Sequence, residues 1–205
     1  MAELGKIRRV ITGHDEDGKA VVLSDGIAPA VKTNPLRPGQ MSVDLWRTTA
    51  SPVPLPRDEP DPTGGPRRMH GGGQSTTFRI SEVAPDSDAI RNLTPEQARA
   101  LFRNQGNEEA STYGRGGRHP LMHRTETIDY AVVLDGEIYM LLDDTEVKLT
   151  TGDVVIQRGT NHAWSNRSGK HVRMLYVLIS GEFDPELAAQ FKARAAATEG
   201  KLQKQ

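Results

Sequence analysis

The stretch HRTETIDYAVVLDGEIYMLLDD, residues 123–144, decides the fold class together with GDVVIQRGTNHAWSNRS, residues 152–168. Both consist of strand-length runs of apolar or alternating residues, and the runs end at turn-forming pairs such as Asp135-Gly136 and Gly152-Asp153. Runs of this kind, separated by Gly and Asp, are typical of β-strands joined by tight turns. No connection is long enough for a crossover helix, so the pattern predicts an all-β barrel or jelly roll.

Working outward, the sequence predicts an N-terminal extension over residues 1–110, a barrel over residues 111–181 and a C-terminal helix with a tail over residues 182–205. The extension contains a hairpin pattern over residues 6–25 and a proline-rich segment over residues 35–73. That segment is interpreted either as an arm or lid or as an irregular connector.

Two helix starts flank the barrel, and both helices are expected to be short. Thr94-Pro95 begins the first, because a threonine cap, a proline at the first helical position and Gln97 three residues after the cap form a capping box. Asp184-Pro185 begins the second by the same logic. We therefore predict an all-β barrel with an N-terminal strand and loop extension and two short helices.

Composition and charge exclude several classes of protein. The chain has no cysteine, which excludes disulfide scaffolds, thiolate metal sites and cysteine nucleophiles. Its 26 basic and 27 acidic residues give a net charge of −1, so neither nucleic acid nor a membrane is an expected partner. The start MAELGKIRRV lacks the apolar stretch of a signal peptide, and a cytoplasmic protein with a small-molecule partner is expected. Strands apolar on both faces, with the proline-rich arm, predict a homodimer.

Polar side chains within the barrel strands are the candidates for a site. On one straight strand His123 and Asp129 would lie about 20 Å apart, too far to share a ligand. Residues 124–127 must therefore turn the chain, and His162 could then complete the set from a third strand.

Two spaced motifs contain these residues. In the first, Gly117 is followed after five residues by His123-Arg-Thr125, then after three by Asp129 and after six by Gly136. In the second, Gly152 is followed after four residues by Gln157-Arg-Gly159, then after two by His162 and after three by Asn166.

These motifs resemble those of the cupin superfamily, with one residue fewer after Gly152. The resemblance covers about a third of the chain and implies a double-stranded β-helix, the jelly-roll barrel of cupins that serve small-molecule catabolism or secondary metabolism. Family members with a well-formed metal centre use three histidines and a glutamate, whereas this sequence has Thr125 and Asp129 at two of those positions. The remaining His123, Asp129 and His162 have the composition of a 2-His-1-carboxylate site.

The other candidate residues each have more than one interpretation. His119 is a fourth metal ligand, a proton shuttle or a solvated loop histidine, and Gln157 orients a substrate or points outward. Further substrate-binding candidates are Thr125, Tyr139, Trp164 and Arg173. Thr125 alternatively hydrogen-bonds within the barrel, Tyr139 and Trp164 pack in the core, and Arg173 forms a surface ion pair.

Two functions remain open. In the first, one divalent ion (Fe, Mn, Ni or Zn) held by His123, Asp129 and His162 supports oxidation, isomerisation or decarboxylation of a small oxygenated substrate, with His119 and Gln157 as catalytic residues. In the second, the same polar cluster binds a small molecule without metal or turnover.

Overall fold

The computed structural model describes residues 5–202, which form eleven strands, three α-helices and one short 3₁₀ helix at Glu108–Ala110. The strands are β1 Arg8–His14, β2 Ala20–Ile27, β3 Val31–Thr33, β4 Met41–Thr48, β5 Thr76–Val83, β6 Thr127–Asp135, β7 Glu137–Leu141, β8 Glu146–Thr150, β9 Val154–Arg158, β10 Ala163–Ser165 and β11 Val172–Ser180. The helices are α1 Asp88–Arg91, α2 Pro95–Arg103 and α3 Pro185–Leu202. The first four and last three residues of the predicted extension and tail lie outside the described residues.

Three sheets organise the strands. β1 and β2 pair as an antiparallel hairpin, as the sequence predicts. A six-stranded sheet has the order β3-β4-β5-β11-β6-β9, and a three-stranded sheet has the order β10-β7-β8. Within residues 5–202 every strand pair is antiparallel, consistent with the predicted jelly roll.

The N-terminal extension shares a sheet with the barrel. β5 is paired with β11 from Thr76–Ile179 to Val83–Val172, and β4 continues the sheet beyond it. Residues far apart in sequence therefore face the same barrel interior.

The turns form where the sequence places Gly and Asp. Gly136 joins β6 to β7 with a φ of +97°, and a Cβ there would lie 3.1 Å from the Val172 side chain. Gly159 follows β9 with a φ of +60°, and a Cβ there would lie 2.6 Å from Phe183. Both positions require glycine because L side chains disfavour positive φ and the space is already filled.

Two buried clusters fix the barrel and close one end of it. The first lies between the sheets and includes Val133, Ile138 and Met174. The second packs α2 against the barrel through Leu101 and Phe102. Burial of the apolar stripe of α2 stabilises a helix too short to persist alone.

The helices begin where the sequence predicts. Thr94 and Gln97 form the capping box of α2, with both reciprocal hydrogen bonds present. α3 extends over 18 residues and is longer than the short helix expected. The single turn α1 was not predicted. In the described part of the chain, no helix combines the length and hydropathy needed to cross a bilayer.

Candidate functional site

A cavity of about 100 Å³ lies inside the barrel beneath α2. It is lined by Arg37, Gln40, Arg67, Met69, Arg79, Ser81, Val83, Leu101, Phe102, Gln105, Leu121, His123, Asp129, His162, Trp164, Tyr176 and Leu178. Since an engineered cavity of about 150 Å³ holds benzene, this volume fits a ligand of a few non-hydrogen atoms.

His123 reaches the cavity because the chain bends before β6. The backbone N–H and C=O of His123 both pair with His162 at 2.9 Å, which places the two imidazole rings side by side with centroids 4.3 Å apart. The bend continues as Arg124 donates to Ala110 O and Glu126 O accepts from Gly181. The expected turn over residues 124–127 is therefore present.

Both histidine rings are held through Nδ1. His123 Nδ1 lies 2.9 Å from Leu121 O, and His162 Nδ1 lies 3.0 Å from Thr160 O and 2.9 Å from Gln157 Nε2. Donation of Nδ1–H to the two carbonyl oxygens fixes the ring orientations and leaves the Nε2 lone pair available to a ligand. Gln157 Nε2, itself a donor to Thr160 O at 2.8 Å, hydrogen-bonds His162 Nδ1 only in the opposite tautomer.

Burial keeps both rings neutral. It lowers the pKa of His123 to about 4, with the charges of Arg37 and Arg67 adding to the shift. Burial and then the neighbouring His123 lower the pKa of His162 to about 3. Near pH 7 each ring is therefore an uncharged base inside the barrel.

Asp129 projects from β6 in register with Gln157 of β9 and Leu178 of β11. The carboxyl group is buried, and its Oδ1 has no hydrogen-bond partner. Burial raises the pKa of Asp129 to about 6, opposed by hydrogen bonding from Thr127 and by the charge of Arg79. This carboxyl group therefore exchanges a proton near neutral pH, while one of its oxygens is free for a ligand.

A row of aromatic rings crosses the site. Ring centroids are 5.1 Å apart for Phe102 and His123, 5.8 Å for His162 and Trp164, and 5.6 Å for Trp164 and Tyr176. The two pairs that include Trp164 are edge-to-face, whereas Phe102 and His123 are tilted by 40°. These contacts hold the rings in place and give the cavity apolar walls beside its polar groups.

Sequence reasoning missed the three arginines of the cavity. Arg37 and Arg67 come from the proline-rich segment, and Arg79 comes from β5. The alternation of Thr77, Arg79 and Ser81, all buried, was a usable signal for β5. No local pattern marks Arg37 or Arg67, because loops carry no periodicity.

The other predicted site residues lie outside the cavity lining. Gln157 does not line the cavity but contacts the His162 ring from outside it, which makes Gln157 a positioning residue. His119 is half-buried in a loop and accepts a hydrogen bond from Leu121 N. Thr125 follows the bend into a different cavity of about 740 Å³ beneath α3. Tyr139 packs under the Arg167 guanidinium, and Arg173 pairs with Glu82.

The predicted metal ligands His123, Asp129 and His162 all line the first cavity, and metal binding stays a prediction. Within residues 5–202 no group of three or more His, Asp or Glu side chains is close enough together to hold a metal ion as the side chains stand. Thr125 lines the other cavity, and its Oγ1 lies 2.8 Å from Thr127 Oγ1, the hydrogen bond within the barrel that the sequence offered as its alternative role.

Residues 111–178 match the protein family described as Cupin domain. Phomopsin biosynthesis cluster protein D from Diaporthe leptostromiformis is 54% identical over 127 residues, or 58% of this chain and 64% of that protein. Cupin-domain-containing oxidoreductase fogC from Aspergillus ruber is 29% identical over 184 residues, or 87% of this chain and 75% of that protein. The chain thus spans less than two thirds of the Diaporthe relative.

A solved structure shows a weaker likeness. The Cupin 2 conserved barrel domain protein from Salinispora arenicola aligns over 79% of this chain and 90% of its own, with 14% identity and a TM-score of 0.35. The relatives by sequence are cupin-domain-containing oxidoreductases and biosynthesis cluster proteins, which supports an enzyme at a coarse level.

Proposed function

Because residues 111–178 form a cupin domain, we propose that this chain is a cupin enzyme that acts on a small oxygenated organic substrate inside the barrel. The observation that carries the proposal is the cavity itself. Two neutral imidazoles and a carboxyl group with an unpaired oxygen line one cavity of about 100 Å³.

Proton transfer is the chemistry that these side chains supply. Asp129, whose pKa of about 6 leaves it mostly ionised near pH 7, takes a proton from a carbon beside a carbonyl group and returns it at the neighbouring position. His123 and His162 stay uncharged beside it and accept hydrogen bonds from substrate hydroxyl groups through Nε2. Trp164 and Phe102 exclude water from the reacting carbon. Gln157 keeps the His162 ring in place from behind.

Isomerisation is the reaction that these residues support best. Moving a proton between two positions of one substrate needs no further reactant, whereas oxidation needs an oxidant. The oxidoreductase names of the relatives favour oxidation as a second candidate. Binding without turnover is the third outcome of the test below.

The proposal is tested by proton exchange. Pyruvate and hydroxyacetone are incubated with the protein in D₂O, and loss of the C–H signal is followed by NMR. We expect exchange that falls about 100-fold or more in D129N, since general base catalysis contributes factors of about 10² to 10⁴. The matched control D17N changes an exposed aspartate and leaves exchange unaltered. Exchange absent from the natural protein, or equal in D129N, contradicts the proposal.

A separate measurement addresses the metal. Since the described residues do not group as a three-ligand site, we expect proton exchange to survive dialysis against EDTA. Loss of exchange on dialysis, and its return with Fe, Mn, Ni or Zn, would instead support the metal-dependent enzyme expected from the sequence. Metal content of the natural protein, D129A and H162A, measured by mass spectrometry, identifies the ligands in that case.

A further inference from the structure

Three guanidinium groups line a cavity whose only lining carboxylate, among the described residues, is Asp129. Each guanidinium nitrogen of Arg79 has a hydrogen-bond partner within the protein. Its Nε donates to Asp44 Oδ1 at 2.6 Å, and its other nitrogens donate to Met69 O and Arg68 O. Arg79 therefore fixes the 68–69 backbone against the sheet and has its charge balanced by Asp44.

Arg67 has only neutral partners. Its Nη1 donates to Ser42 Oγ at 2.6 Å and its Nη2 to Gln105 Oε1 at 3.2 Å. Its Nε is buried and has no hydrogen-bond partner. The Arg67 charge is thus unbalanced by any ion pair among the described residues.

Arg37 differs in that it forms an ion pair with Asp86, but it too has a buried donor without a hydrogen-bond partner. Its Nη2 is buried without a hydrogen-bond partner, and the Asp86 Oδ1 atom lies 3.9 Å away, beyond hydrogen-bonding distance. The side chain is 12% exposed. Buried N–H donors without partners cost folding free energy, so two such groups at one cavity indicate a ligand that completes them.

The electrostatics of the cavity agree with this reading. Burial, followed by repulsion from Arg79, lowers the pKa of Arg67 to about 9, which leaves it charged near pH 7. Burial lowers the pKa of Arg37. Arg37, Arg67 and Asp129 line the same cavity, so the arginines and the proposed base can contact one bound molecule.

We propose that Arg37 and Arg67 form an anion subsite that binds a carboxylate of the substrate, which makes the substrate a small carbonyl or hydroxy acid. The inference rests on the proposed function, because the carboxylate is taken to belong to the molecule that Asp129 deprotonates. The planar guanidinium matches a carboxylate with paired hydrogen bonds. A cavity of about 100 Å³ leaves room for a carboxylate and a short carbon chain. Trp164 and Leu121 provide the apolar wall for that chain.

The test uses acetate and its neutral isostere acetamide. The chain has two tryptophans, Trp164 at the cavity and Trp46 on β4, so the indole NMR signals separate binding at the cavity from general effects. We expect acetate to shift the Trp164 signal saturably and acetamide to shift it weakly or not at all. R37Q and R67Q are each expected to weaken acetate binding at least tenfold, and R37K to retain part of it.

The control is R8Q, which removes an exposed arginine paired with Asp25 and is expected to bind acetate as the natural protein does. Thermal unfolding verifies the folded state, and R37Q decides the matter if R67Q does not fold. Equal binding of acetate and acetamide, or unchanged acetate binding in R37Q, overturns the proposal. Tighter binding of inorganic phosphate than of acetate overturns the carboxylate assignment.

The outcome is separable from that of the proposed function. Arginine-dependent acetate binding without proton exchange of pyruvate supports the anion subsite and contradicts the isomerase. Proton exchange of pyruvate that is unchanged in R37Q supports the enzyme and contradicts the anion subsite.

Discussion

At the scale of single residues, the cavity holds ionisable groups whose pKa values burial shifts in opposite directions. The pKa of the Asp129 carboxyl group is raised towards neutrality, while the pKa values of the His123 and His162 imidazoles are lowered far below it. In both cases desolvation disfavours the charged form. The folded state therefore prefers an uncharged site, and each group has its own effect on stability as pH changes.

For His162 the stability effect appears in acid. Its pKa is lowered from 6.5 to about 3, so the unfolded chain binds a proton first as pH falls. Its stabilising contribution is complete above about pH 6.5 and is lost towards pH 3. We expect the natural protein to lose about 2 to 3 kcal/mol more unfolding free energy than H162Q between pH 7 and pH 4. Urea unfolding at both pH values measures this difference. The control is H14Q, which changes an exposed histidine of β1. Equal losses in all three proteins would show that His162 is not buried uncharged.

For Asp129 the stability changes with pH in the opposite direction. Its pKa is raised from 3.8 to about 6, so stability falls as pH rises through this window and the ionised carboxylate remains costly at pH 7. We expect D129N to be more stable than the natural protein by about 2 kcal/mol at pH 7 and equally stable below pH 4. Thermal unfolding across pH 3.5 to 7.5 checks this expectation. A variant that is less stable at pH 7 would indicate a partner that compensates the carboxylate.

At the scale of elements, the pairing of β5 with β11 joins the N-terminal extension to the barrel. Their register places Arg173 directly opposite Glu82, and Arg173 Nε donates to Glu82 Oε1 at 2.7 Å. Glu82 is 3% exposed, so its charge depends on this cross-strand pair. Arg173, a substrate-binding candidate in the sequence, is therefore bound within the sheet.

Removal of this arginine is expected to affect stability and not binding. R173Q leaves Glu82 buried without its cation, which costs about 2 kcal/mol in a partly exposed pair of this kind. Acetate affinity, measured at the Trp164 signal, should match that of the natural protein. Weaker acetate binding in a folded R173Q protein would return Arg173 to the substrate site.

At the scale of the whole molecule, the outer face of β6 and β9 is apolar. Tyr130 pairs with Ile156, and Val154 lies on the same face two residues before Ile156. All three are exposed, Ile156 by 55% and Val154 by 60%. An apolar patch on an edge strand is typical of a surface that a second chain covers.

We propose that the homodimer predicted from the sequence forms through this face. We expect sedimentation to give the mass of two chains, and I156K to shift the protein towards one chain because a lysine there opposes burial. V22K, which changes an exposed apolar residue of β2, serves as the matched control. A natural protein that sediments as a single chain contradicts the dimer.

A feature of the site can be predicted from the sequence when residues close together in the chain determine it. The turns at Gly136 and Gly159 and the capping box at Thr94 are local, because a few neighbouring residues determine the backbone there. The bend after His123 follows from strand length alone. These local features suffice to place His123 and His162 near each other.

The sequence by itself determined the barrel strands, the helix starts and the histidine pair, because alternation, turn residues and spacing act over short distances. Only the tertiary structure decided that Arg37, Arg67 and Arg79 enter the cavity and that Thr125 leaves it. The reason is that β5 pairs with β11 almost a hundred residues later in the chain. Such pairing is fixed by burial and sheet register in the folded chain, and no short stretch of sequence encodes it.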